Sequence, residues 1–142
     1  MARNLSFISR GRGLRVALLT AAMVLPVAGC GSAQESGVED VATSFYQAVS
    51  DGDGEAACDL LGPATRSELE QSAGKPCAEA LPDEDVPEVD APLDVRVFGT
   101  QAEVRWPGET TFLARFQGGW KVMAAACTPR PHQPYDCAIS GG

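Results

Sequence analysis

The sequence is short of positive charge. Of 11 Lys and Arg in 142 residues, four arginines stand at positions 3, 10, 12 and 15, so seven remain beyond them against 19 Asp and Glu. A nucleic-acid binder needs a basic footprint, so no nucleic-acid partner is expected. Histidine is nearly absent: His132 is the single one, set among prolines. Close C-x-x-C pairs are missing, and a four-thiol zinc site would need them. No serine sits in a Gly-x-Ser-x-Gly elbow. The acidic stretch Asp83 to Asp90 lacks the oxygen spacing and turn glycine of an EF-hand loop, and reads as a solvated charge run. No catalytic residue, metal site or cofactor is expected. No apolar run reaches the roughly 20 residues that a membrane-spanning helix needs.

The chain does have a short apolar run, Val16 to Val27, behind the positive front and closed by Ala28 and Gly29. That is the layout of a secretory signal peptide over residues 1–29. Val27-Ala28-Gly29-Cys30 resembles the bacterial lipobox, with polar Gly31-Ser32-Ala33-Gln34 directly after it. The resemblance implies cleavage before Cys30 and a diacylglyceryl group on its sulfur. Two acyl chains suffice for stable anchoring. The expected location is the outer side of the cell membrane, with residues 30–37 as the lipid-anchoring Cys30 and a flexible tether, Gly31 to Gly37. Seven tether residues would reach on the order of 15 Å.

Removing the first 29 of 142 residues leaves 113, one domain's worth, with seven basic and 19 acidic residues and a formal charge of −12. An anionic bilayer surface would repel that body. Four cysteines remain beside Cys30: Cys58, Cys77, Cys127 and Cys137. An even number in an exported chain implies disulfides, and four cysteines allow three pairings. Cys58–Cys77 with Cys127–Cys137 is favoured, because each pair brackets a loop-rich stretch.

Residues 38–142 read as helices followed by strands. Val38, Val41, Phe45, Ala48 and Val49 recur at helical spacing. Gly52 ends that helix and Asp53 offers an N-cap for the next, "GEAACDLL". Gly62-Pro63 breaks it, and "ATRSELEQSAG" forms a third. "LPDEDVPEVDAP" reads as an irregular crossing segment. Four period-two runs follow, "LDVRVFG", "QAEVRWPG", "TTFLARFQGG" and "WKVMAAAC", separated by turn signals that allow only hairpins. Val95, Val97, Ala102, Val104, Trp106, Phe112, Ala114, Phe116, Trp120, Val122 and Ala124 are expected on the helix-packed face, with Asp94 and Glu103 outward. The proline-rich tail is expected to lie across the sheet end, pinned by Cys137.

The expected class is α+β, with N-terminal helices packed on a curved antiparallel sheet of about four strands. The segment "FYQAVSDGDGEAACDLL" and the C-terminal "GGWKV" resemble the NTF2-like superfamily, a cystatin-like α+β cone, and more narrowly small actinobacterial lipoproteins with this domain. Some relatives of that kind, SnoaL-like proteins and ketosteroid isomerases, are enzymes, and the isomerases need a Tyr on the first helix and carboxyls in an apolar pocket. Aligned on Gly52-Asp53, Phe45 takes the tyrosine's place, and Tyr46 is rotated off the apolar stripe. The protein is therefore expected not to be an enzyme.

The resemblance implies a cone that holds a pocket. Phe45, Val49, Trp106, Phe112, Phe116 and Trp120 either line it for an apolar ligand or simply fill the core. On the other sheet face, Arg96, Arg105, Leu113, Arg115, Lys121 and Met123 either dock a partner or are solvated, with Glu103 paired across strands. The leading expectation is a membrane-anchored, non-enzymatic module that binds an envelope protein or a second copy of itself. Carriage of an apolar ligand is the alternative, and an isomerase-like enzyme the weaker one.

Overall fold

The computed structural model describes residues 30–141. The expected signal peptide, residues 1–29, lies outside them. Four α-helices come first: α1 (Cys30–Ser50), α2 (Gly54–Leu60), α3 (Pro63–Ala73) and α4 (Cys77–Ala80). After a 3₁₀ turn at Leu81–Asp83, residues 84–93 carry no regular structure. Five strands follow: β1 (Asp94–Phe98), β2 (Gln101–Trp106), β3 (Glu109–Phe116), β4 (Gly119–Arg130) and β5 (Gln133–Ser140). They form one antiparallel sheet in sequence order.

The helix signals act where the sequence puts them. The Asp53 side chain accepts a hydrogen bond from the Ala56 amide at 3.0 Å and caps α2. Pro63 lies in the first turn of α3, and Gly74 closes it in the left-handed conformation that glycine adopts without strain. The 30–37 stretch differs from the expected tether, since α1 begins at Cys30 rather than Val38. Ala33, Gln34 and Glu35 are good helix formers and no proline interrupts the register, so the helix extends back through them. Disulfides join Cys58 to Cys77 and Cys127 to Cys137. The first ties α2 to α4.

The sheet departs from expectation in three ways. It has five strands, not four. The proline-rich tail forms β5, whose Cys137 stands directly opposite Cys127 on β4. An edge strand tolerates Pro134, because a proline need not donate to the ladder there.

The second difference is a reversal of β3. Pro107-Gly108 makes a two-residue turn that sets Glu109 opposite Trp106, Thr111 opposite Val104 and Leu113 opposite Ala102. Residues directly opposite share a face, so Glu109, Thr111 and Leu113 turn inward behind the buried Trp106, Val104 and Ala102. Phe112, Ala114 and Phe116 face out. Phe112 meets Tyr135 edge-on at 5.0 Å, and Phe116 is exposed.

The third is a pair of bulges in β4. Phe112 pairs with Ala124 and Leu113 with Val122, which leaves Met123 over. Thr110 then pairs with Cys127, so Ala125 and Ala126 together stand opposite Thr111. The buried residue is consequently Ala125, not Ala124. Val38, Ala42, Phe45 and Tyr46 of α1 close the core against Val104, Trp106, Leu113, Val122 and Ile139.

Candidate functional site

The second bulge leaves the Ala126 amide free of the ladder, and a buried amide needs an acceptor. It donates to the Tyr46 hydroxyl at 3.1 Å. Ala126 holds a positive φ of 53° to do so, an uncommon conformation for a residue with a Cβ. Tyr46 is only 4% exposed, between Phe45 and Trp106 in edge-on contact. Its hydroxyl also lies 2.9 Å from Thr111 Oγ1, and the Trp106 indole N–H donates to that same oxygen at 2.9 Å. A helix, two strands and a bulge thus meet in one buried polar chain.

Glu109 stands at its end, 7% exposed. Neither of its carboxyl oxygens has a hydrogen-bond partner among the described residues. The Tyr46 hydroxyl and the Ala126 amide stand next to the carboxyl as donors that favour its charged form. Burial pushes the Glu109 carboxyl above the usual carboxylate range, and those two groups only partly offset it. Burial, and then the neighbouring Glu109, also drive the Tyr46 hydroxyl up, so it stays protonated as a hydrogen-bond donor.

Glu109 borders a cleft of about 520 Å³ between the sheet and residues 85–89. Both of its carboxyl oxygens are shut off from solvent. Asp85, Glu88 and Asp136 add exposed acids to the walls, and among the described residues no Lys, Arg or His lines it. The segment over the site is held by Val86 and Val89, which pack on the core. Smaller clefts of about 270 and 280 Å³, both bordered by Tyr46 and Glu88, open on its other side.

The expected pocket residues do not converge on this cleft. Phe45, Trp106 and Trp120 are buried in the core, and Val49 packs against it. The space beneath Val49, Ala57 and Leu81 is about 10 Å³, too small for a ligand. Phe112 and Phe116 are on the opposite sheet face.

The expected interface residues also separate. Arg96 and Arg105 are outward, and both pair with Asp94, at 2.6 and 2.7 Å. The Arg105 hydrogen bond and then the Arg96 charge hold the Asp94 carboxyl below its usual range. Leu113 is in the core rather than on the surface. Arg115 shares the inner side of β3 at its far end, its guanidinium 5.8 Å from the centre of the Trp120 ring. Lys121 donates to the Asp59 carbonyl. Met123 is half-buried, with its carbonyl accepting from Thr65 Oγ1 at 3.0 Å.

Compared with protein families, curated proteins and solved structures, the chain matches none. The site's chemistry rests on its own geometry. Glu109, Tyr46 and Thr111 are absent from the sequence-based candidates. The signal for Glu109 was the two-residue Pro107-Gly108 turn, which fixes the residue after it opposite Trp106.

Proposed function

We propose that this is a lipid-anchored, extracytoplasmic binding module with an NTF2-like α+β domain, and that its ligand occupies the cleft beside Glu109. One observation carries the reading: a buried carboxyl whose two oxygens lack partners, at the wall of a cleft large enough for a small molecule. Native proteins partner nearly all buried polar groups, so an orphan beside a cavity marks a place where something else supplies the partner. Carriage of an apolar cargo inside the cone gains no support from a core already filled by Phe45, Trp106 and Leu113.

The anchor rests on the Val27 to Cys30 motif. No helix of the described residues is long and apolar enough to cross a membrane. Native mass spectrometry of the chain released from its own membrane tests both parts. A diacylglyceryl mass on Cys30, lost with release to the soluble fraction in Cys30→Ala, supports the anchor. A co-purifying small mass that disappears in Glu109→Gln supports the cleft, and a bare domain in every preparation counts against it.

A second reading is favoured by Leu93 and Phe98, 71% and 61% exposed. With Arg96 and Arg105 they would form a docking face for an envelope protein or a second copy. Phe98→Asp then lowers cross-linking yield on intact cells, and an unchanged yield argues against that face.

A further inference from the structure

The missing partners of Glu109 are donors. A carboxylate accepts hydrogen bonds and offers none. The other groups on the cleft sharpen that requirement. Asp85 and Glu88 come from the segment above it, Asp136 from β5 and Glu109 from β3. The whole mature chain carries a formal charge of −12, which raises the local concentration of cations. An anion would meet four carboxyls and no cation. A divalent metal wants several oxygens converging on one point, and no group of three or more His, Cys, Asp or Glu among the described residues is arranged to hold one. The remaining class is an organic cation with N–H donors.

We infer that the cleft binds an alkylammonium group, whose N–H donors engage the two unpartnered Glu109 oxygens while Asp85, Glu88 and Asp136 balance its charge from the walls. This rests on the cleft being the ligand site. The segment 84–90 admits the ligand. It has no regular structure, its backbone bonds are two short-range ones, from the Glu84 amide to the Leu81 carbonyl at 3.1 Å and from the Val86 amide to the Glu84 carbonyl at 2.9 Å, and clefts border it. Displacement of this segment, which Val86 and Val89 hold on the core, is the step by which the ligand would reach Glu109. The aliphatic part of the ligand then packs on Val89, Ala126 and Ala138.

The same chemistry is found in a free polyamine and in a lysine side chain of a protein. Calorimetric titration of the full chain, solubilised from its membrane in non-ionic detergent, separates them. The probes are n-butylamine, spermidine and the blocked tripeptide Gly-Lys-Gly, with butan-1-ol, sodium butyrate and calcium chloride as controls. The amines bind at one site, and Glu109→Gln weakens them at least tenfold while near-ultraviolet circular dichroism stays native. Glu39→Gln, an exposed change on α1, leaves binding unaltered. Carbon-13 NMR of the glutamate-labelled wild-type chain reads the contact without any substitution: one buried carboxyl resonance moves on adding butylamine. Spermidine ahead of the tripeptide identifies a free amine, and the reverse order a lysine side chain.

Amine binding that is undiminished in folded Glu109→Gln, or a buried resonance that does not move, overturns the inference. Butan-1-ol binding as tightly as butylamine, and depending on Glu109, removes the charge argument but leaves the cleft as the ligand site. If no probe binds and no mass co-purifies, both fall.

Discussion

Tyr46 is fixed by partners of different kinds: a backbone amide, a threonine hydroxyl and two aromatic rings. Tyr46→Phe keeps the rings and removes the hydroxyl. The Ala126 amide then loses its acceptor in a buried setting, a loss worth about 1–3 kcal/mol. Urea unfolding of the folded variant should show a drop of that size with an unchanged m-value. Glu109 acts in the opposite direction. Its carboxyl is raised in the folded chain, so the folded state holds its proton to higher pH than the unfolded state does. The stability tied to that proton is fully present below the unfolded carboxylate range. It is lost as pH rises through the folded value. Glu109→Gln should flatten the decline in urea midpoint above the ordinary carboxylate range and be the more stable form at pH 8. A wild-type curve that matches the variant's at every pH would remove the buried charge from the account.

Elements meet here at close quarters. Gly54 opens α2 directly against α4, where an added Cβ would collide with the Ala78 carbonyl. Backbone cannot yield as a flexible side chain does, and the Cys58–Cys77 bridge holds the two helices together. Gly54→Ala should therefore destabilise by about 1–3 kcal/mol, the usual range for overpacking, as a lowered melting temperature. Three of the four helices are legible in the sequence through their punctuating residues, Gly52, Asp53, Pro63 and Gly74; α4, a single turn, is not. The inward face of β3 is set by geometry rather than by bulk. Phe112, Ala114 and Phe116 outweigh Thr111 and Leu113 in apolar mass, yet a two-residue turn at Pro107-Gly108 dictates parity for the whole strand. The β4 bulges that release the Ala126 amide leave no comparable mark in "VMAAAC".

At the scale of the molecule, the described residues 30–141 bury a modest core, and cross-links matter to it. Cys58 and Cys77 are 19 residues apart, and a loop of that length is worth about 3 kcal/mol when closed. Replacing both by Ser should lower unfolding free energy by about that amount. Cys127 and Cys137 close a shorter loop of 10 residues, already a paired hairpin, so the double Ser change there should be milder. Equal losses for the two pairs would show that loop length is not what sets them.

The sequence by itself determined the charge, the helix boundaries around Gly52 and Gly62-Pro63, the antiparallel hairpins and the four cysteines beside Cys30. These are local properties, set by residues within a few positions of one another. Tertiary structure alone decided the site. Tyr46, Trp106, Glu109, Thr111 and Ala126 span 80 residues from first to last hydrogen-bonded partner, and no short window contains them. Their meeting depends on which face each strand turns inward and on where β4 slips its register. Both are settled only when a helix packs on the sheet and every buried amide must find an acceptor.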